Sequence, residues 1–352
     1  MTALVVVAVL VVLGVDALSQ VGRASAPVRR TENRSFAALA LPVVDQSNAT
    51  GAALEYLWTK GPSLDRVTFF SDLATMASDS AAEDQAFVAL TPPTPSGDVL
   101  GRCQATMSGR REAAARLQSD LDRLLGGRDG FGGGDEAAAV GGLVSIGDQL
   151  RVADASWAGC RRALLHQPGS ARLAGSTWVH DPTAWSETAV SQQVASLVSS
   201  PTLAPVHRLT LLSVSTTPAA VPAVDGVGVV APSTALAVRV VVADVGNVGE
   251  ARVNLVVTAV PQGTSGPQGT SVPQGTSGGP DLVRATTGLA PGQSVVLSPP
   301  SLKVSPGRSY VLTVTATPAT GPGRASTSIP LRVSAPPPTT TTTTTTAPAR
   351  RR

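Results

Sequence analysis

The chain has 352 residues with 34 Gly, 28 Pro and few aromatics, 4 Trp, 2 Tyr and 5 Phe, at a formal net charge of +3. Its 42% hydrophobic content can build a core, although Val and Ala must supply most of it. This mixture argues against a single large enzyme domain, a porin with aromatic girdles and a wholly disordered chain, and the length suits about two domains.

The net charge hides an uneven distribution. Residues 40–206 carry 12 basic and 18 acidic side chains, whereas residues 207–352 carry 11 basic and 4 acidic. A sign change of this kind predicts two modules with different surfaces. The basic half holds a single aromatic, Tyr310, and so lacks the stacking platforms of a single-strand nucleic-acid groove. Nucleic acid is therefore not among the expected partners.

In chain order, the first feature is an unbroken apolar run from Ala3 to Val15, closed by Asp16. As a helix, thirteen residues rise about 20 Å, short of the ~30 Å hydrocarbon core. Residues 1–26 read as a signal peptide or a signal-anchor helix, with small-residue cleavage sites at Val15-Asp16-Ala17 and Ala24-Ser25-Ala26. Arg23, Arg29, Arg30 and Arg34 follow the run, the reverse of the usual polarity, which implies a start upstream of Met1. The expected localisation is an exported chain, membrane-anchored by this segment or secreted, with its bulk extracytoplasmic.

Residues 42–200 read as a helical bundle. Asn48 to Lys60 places Ala53, Leu54, Leu57 and Trp58 on one stripe, and Ser63 to Ser78 places Val67, Phe70, Leu73 and Ala77 on another. Thr91 to Gly97 is a loop. Within 100–165 the sequence spells a helical hairpin. Leu100, Cys103, Met107, Arg110, Ala114, Leu117, Leu121 and Leu124 recur at spacings of three and four, a heptad seam with one charged intruder. After the glycine-rich turn from Gly126 to Gly134, Asp135 serves as N-cap. Ala139, Leu143, Ile146, Leu150, Ala153, Trp157, Cys160 and Leu164 then form the facing seam.

Folding the two seams antiparallel pairs Leu121 with Leu143, Leu117 with Ile146, Ala114 with Leu150 and Met107 with Trp157. The same register brings Cys103 to Cys160 at the open end, so a disulfide between them is expected, and with it an oxidising compartment. Arg110, set opposite Ala153, needs a partner, and Asp154 is the nearest carboxylate. A last helix is expected from Asp181-Pro182 to Ser199, carrying Trp185, Ala189, Val190, Val194 and Leu197 inward.

Candidate chemistry is thin. Three histidines (His166, His180, His207) and two distant cysteines do not make a zinc site, and no metal or cofactor motif occurs. His180-Asp181 is a His–Asp pair without a nucleophile motif, and Asp148 and Asp154 have no accompanying His. Trp58, Trp157, Trp178 and Trp185 fill core gaps or, in the alternative, line a ligand pocket. Asn33 and Asn48 stand in glycosylation sequons.

After Pro205 the apolar period changes from 3.6 to 2. Thr210, Leu212 and Val214 share one strand face; Leu236, Val238, Val240 and Val242 another; Val253, Leu255, Val257 and Ala259 a third. Ser294 to Leu297, Tyr310 to Ala316 and Ile329 to Val333 complete an antiparallel sandwich. The stretches AVRVVVADVGNVGEARVNLVV, GLAPGQSVVL and SPGRSYVLTVTAT carry Asn247/Gly249, Leu289/Pro291/Gly292 and Pro306/Gly307/Tyr310. On these positions, residues 207–335 resemble the Ig-like CARDB domain family of bacterial surface proteins. The resemblance implies an Ig-like fold that serves as spacer or adhesive unit, and it implies no catalytic residues. A repeat, PQGTSG-PQGTSV-PQGTSG, departs from that pattern and reads as a flexible loop at 261–279. Residues 336–352, rich in Pro, Thr and Arg, read as a disordered tail.

The expected fold class is thus multi-domain α + β, a helical bundle followed by an Ig-like β-sandwich. The expected function is that of a non-enzymatic cell-envelope protein that binds or scaffolds, with a protein or wall polymer as partner and the membrane reached through residues 1–26. The alternative is an extracytoplasmic sensor or solute-binding protein with its pocket in the bundle.

Overall fold

Among the described residues, five α-helices occupy the first half of the chain and ten strands the second, an α + β arrangement. The computed structural model describes residues 2–90, 97–126, 134–166, 173–223, 225–262 and 281–337, with side chains from residue 31 and, in the second stretch, from residue 100. The chain divides into two units, 1–204 and 205–352. The 127–133 part of the glycine-rich turn, the repeat loop from 263 and the tail from 338 lie outside the described residues, as do the side chains of 1–26.

Helix α1 runs Thr2–Lys60 without interruption, far beyond the stretch that the apolar stripe from Asn48 predicts. An internal proline such as Pro42 removes a backbone bond at a cost of about 3 kcal/mol. Packing on both sides offsets it: Phe36, Ala37 and Ala40 are buried before Pro42, and Val44 and Ser47 after it. The expected membrane anchor is corrected. Among the described residues no helix is long and apolar enough to cross a membrane. The apolar run itself ends at Asp16, and Arg23, Arg29, Arg30, Glu32 and Arg34 follow along the same helix. The localisation built on that anchor is not retained.

Helix α2, Arg66–Val88, starts on an Asp65 cap whose carboxylate accepts the Thr68 N–H at 2.9 Å. It continues ten residues past the expected end at Ser78, because its buried face changes from apolar to polar and back. Phe69, Phe70, Leu73 and Met76 are followed by Ser80, Glu83 and Asp84, then Phe87. Val67 is exposed. Arg66 is buried at the other end and donates to the carbonyls of Leu203 and Leu125, the latter at 2.7 Å, just beyond the end of the next helix.

Helices α3, Gly97–Leu124, and α4, Glu136–Leu165, run antiparallel. Every position of the two heptad seams from Cys103 to Leu124 and from Leu143 to Leu164 is buried. Asp135 caps α4 by accepting the N–H groups of Ala137 and Ala138. The final helix is split: a 3-10 turn at Pro182–Trp185 precedes α5, Glu187–Val198. Ser186, in extended conformation between them, accepts the Ala189 N–H and restarts the helix.

The second unit comprises β1 (Leu209–Thr217), β2 (Val221–Pro222), β3 (Gly228–Val230), β4 (Ala235–Asp244) and β5 (Glu250–Pro261), then β6 (Asp281–Leu289), β7 (Ser294–Leu297), β8 (Leu302–Lys303), β9 (Ser309–Pro318) and β10 (Ala325–Val333). One sheet has the order β1-β4-β7, with β8 also pairing β4; the other has the order β2-β3-β10-β9-β5-β6. The expectation of an all-antiparallel arrangement is corrected at one edge, where β3 pairs β10 in parallel. The two strands are far apart in sequence, so no tight hairpin dictates their direction. Leu236, Val238, Val240 and Val242 of the first sheet and Val253, Leu255, Val257, Leu312 and Val314 of the second join one apolar cluster. In β1 the alternation differs from the predicted one. A register shift between Leu211 and Ser213 moves Leu212 out to 59% exposure, since one extra residue reverses facing.

Candidate functional site

The helical unit holds two apolar clusters with a polar layer between them. One contains Leu54, Leu73, Leu117, Ile146 and Trp185; the other contains Phe36, Phe87, Met107, Trp157 and the two cysteines. Each of α1 to α4 crosses from one cluster to the other, and there it presents polar side chains: Ser47 and Thr50 on α1, Ser80, Glu83 and Asp84 on α2, Arg110 on α3 and Asp154 on α4.

Arg110, 1% exposed, is the centre of that layer. Its guanidinium donates to Asp154 at 2.6 Å, to Ser176 Oγ at 2.7 Å and to Ser47 Oγ at 3.0 Å, and it lies 5.3 Å from the Trp178 ring centroid. Asp154 also accepts the backbone N–H groups of Trp178 and Val179 at 3.0 Å. Burial presses the Arg110 pKa down, and the Asp154 contact works against that. A multiply bonded buried guanidinium fixes register, because leaving any one partner unmade is costly.

Glu83 faces the same layer from α2. It is 4% exposed and accepts a hydrogen bond from Thr50 Oγ1. Burial pushes its carboxyl above the ordinary value; Thr50, Ser47 and Arg110 oppose the shift, and the nearby Asp79 adds to it. On its other side Glu83 lines a groove of about 300 Å³ between α1 and α2, with Pro42, Val43 and Gln46 on one wall and Asp79, Ala82 and Ala86 on the other. The neighbouring Asp84 is held by Ser108 at 2.9 Å and Arg111 at 2.8 Å.

The residues singled out in the sequence fall as follows. Cys103 and Cys160 are joined by a disulfide, Cα–Cα 5.2 Å. All four tryptophans are core residues. Trp58 stacks on Trp185 at 4.6 Å, Trp157 Nε1 donates to the Ala174 carbonyl, and Trp178 Nε1 donates to that of Ser47. None of them lines the groove. His180 pairs with Glu55 at the surface, 3.4 Å apart, and Asp148 pairs with Arg151. Asn33 is buried within α1, and Asn48 donates to the Gly175 carbonyl. Among the described residues no group of three His, Cys, Asp or Glu is arranged to hold a metal ion.

A second titratable cluster lies in the β unit. His207 Nδ1 is 2.9 Å from Glu250, and both side chains are largely buried. Asp244, 0% exposed, accepts the Gly246 N–H at 2.8 Å through Oδ1, while its Oδ2 has no hydrogen-bond partner among the described residues. Burial raises the Asp244 pKa, with Gly246 opposing, Glu250 reinforcing and His207 opposing. Asn247, in the turn between β4 and β5, accepts the Val206 N–H at 2.7 Å, and Tyr310 OH accepts that of Ser305 at 2.7 Å.

No family model matches the chain. No curated protein matches it. A solved structure, Pseudomonas fluorescens alkylpurine DNA glycosylase AlkC bound to DNA containing an abasic site analog, is similar at 12% identity, covering 86% of this chain and 97% of that one, with a TM-score of 0.22. The expectations that this chain is no enzyme and has no nucleic-acid partner are withdrawn. Their sequence grounds were narrow. Scarce aromatics speak against single-strand stacking but not against backbone contacts to a duplex, and reacting residues converge in space without a local motif. At a TM-score of 0.22 the likeness carries no argument for glycosylase chemistry or DNA binding here.

Proposed function

We propose that the chain is a binding protein of two modules, a disulfide-clipped helical bundle that carries the recognition site and an Ig-like sandwich of the CARDB kind that serves as scaffold. The α1–α2 groove carries this reading. It is concave, preformed between two packed helices and floored by a carboxylate that belongs to a fixed polar layer, and preorganisation of this kind lowers the cost of binding. Its volume lies at the low end of the ~300–1,000 Å³ range of ligand sites, which suits a small molecule.

The test is thermal unfolding of the intact chain with small cations, anions and neutral compounds of matched size. Stabilisation by one class, lost when Ala82→Leu fills the groove, is the expected result. Equal midpoints with all three classes would overturn the reading.

A further inference from the structure

Within this binding reading, on which the inference rests, the groove itself names a ligand chemistry. Asp79 and Glu83 are four residues apart on α2, as Pro42 and Gln46 are on α1, so each pair shares a helix face. Both pairs line the groove. The remaining lining, Val43, Ala82 and Ala86, is small and apolar. Among the described residues no cationic side chain lines it. The buried cation that acts on Glu83, Arg110, is already bonded to Asp154, Ser47 and Ser176. The groove therefore joins two carboxylates and one amide oxygen to a short apolar wall, in a stretch of chain, residues 40–206, that carries 18 acids against 12 bases.

We propose that the α1–α2 groove binds a small aliphatic primary ammonium. Its –NH₃⁺ has three donors and no acceptor, which matches the Asp79 carboxylate, the Glu83 carboxylate and the side-chain amide oxygen of Gln46, whose backbone carbonyl already accepts from Thr50. Its alkyl chain lies along Pro42, Val43, Ala82 and Ala86. A carboxylate ligand would face Asp79 and Glu83 with like charge. A neutral alcohol would bring one donor to three acceptors. The Glu83 carboxyl, raised by burial and by Asp79, gains from the ammonium the counter-charge that the groove side lacks.

Isothermal titration of the full oxidised chain with hexylamine, hexanol and hexanoate tests this. Hexylamine should bind, and Asp79→Asn should weaken it about tenfold or more, the factor that one charge-assisted hydrogen bond carries. Ala86→Leu, a change at an exposed position, should block binding with the fold intact by circular dichroism. Hexanoate or hexanol binding without hexylamine would overturn the ammonium assignment and leave the binding reading standing. Hexylamine binding untouched by both substitutions would place the amine elsewhere and overturn the assignment. No heat from any of the three would overturn both.

Discussion

Arg110 and Asp154 meet at 2.6 Å between α3 and α4, one residue from the Ala153 that the seam count sets opposite the guanidinium. The pair closes the polar layer that separates the two apolar clusters, and Ser47, Ser176 and Trp178 complete its shell. Removing one partner of a buried pair leaves the other uncompensated and costs about 3–5 kcal/mol. Arg110→Ala should lose that much in urea unfolding. Arg110→Lys should fall between, since an ammonium cannot reproduce the planar fork. A loss within error of zero would mean that the layer does not hold the helices.

The disulfide closes a span of 57 residues, for which chain entropy gives about 4 kcal/mol. Cys103→Ser with Cys160→Ser should lower stability by about that amount in denaturant titration. Thiol labelling of the unfolded, unreduced chain should find no free cysteine. One labelled thiol per chain would contradict the pairing.

Asp244 contributes a pH dependence to the β unit. Its folded-state pKa lies above the ordinary 3.8 because of burial first and Glu250 among the further causes, with Gly246 and His207 opposing. The folded state therefore holds this proton more tightly than the unfolded chain. The stabilisation is complete at low pH and is lost as pH rises through the folded-state value. Asp244→Asn removes the charge and keeps the oxygen that accepts from Gly246. Its melting temperature should exceed that of the unmodified chain at about pH 8 and converge with it near pH 4. A constant difference across that range would rule out the proton linkage.

Gly147 is the gap that the Trp58–Trp185 stack needs. A Cβ there would sit 2.6 Å from Trp185 Cβ and 2.8 Å from its ring, while the indole is stacked 4.6 Å from Trp58 at an interplanar angle of 11°. Gly147→Val should destabilise by about 3 kcal/mol, the upper end for an overpacked core, and should shift the tryptophan fluorescence as the stack opens. An unchanged spectrum would show that the rings are free to retreat.

The α3–α4 face was legible because one period carries it. A heptad seam placed the leucines, and the leucines placed Cys103 beside Cys160 and Arg110 beside Asp154. The continuation of α1 through Pro42 was not legible, because propensity rules see the proline and not the packing of Phe36, Ala40 and Val44 around it. The second half of α2 was hidden for a related reason: Ser80, Glu83 and Asp84 occupy buried positions, where an apolar stripe finds nothing. The groove joins those two unread stretches. A buried polar residue at the spacing of the Leu73–Met76 stripe was the available signal, and Ser80 and Glu83 continue that stripe. The inner strands of the β unit alternate cleanly, whereas the bulge at Leu212 and the meeting of His207 with Glu250 depend on pairing between distant strands.

The central claim is that the α1–α2 groove is the binding site, and methyl NMR on an alanine-labelled chain tests it most directly. On titration with hexylamine the Ala82 and Ala86 methyl resonances should move together and saturate, while those of the core residues Ala114 and Ala153 stay in place. Saturable shifts confined to other methyls, or none at all, would contradict the account.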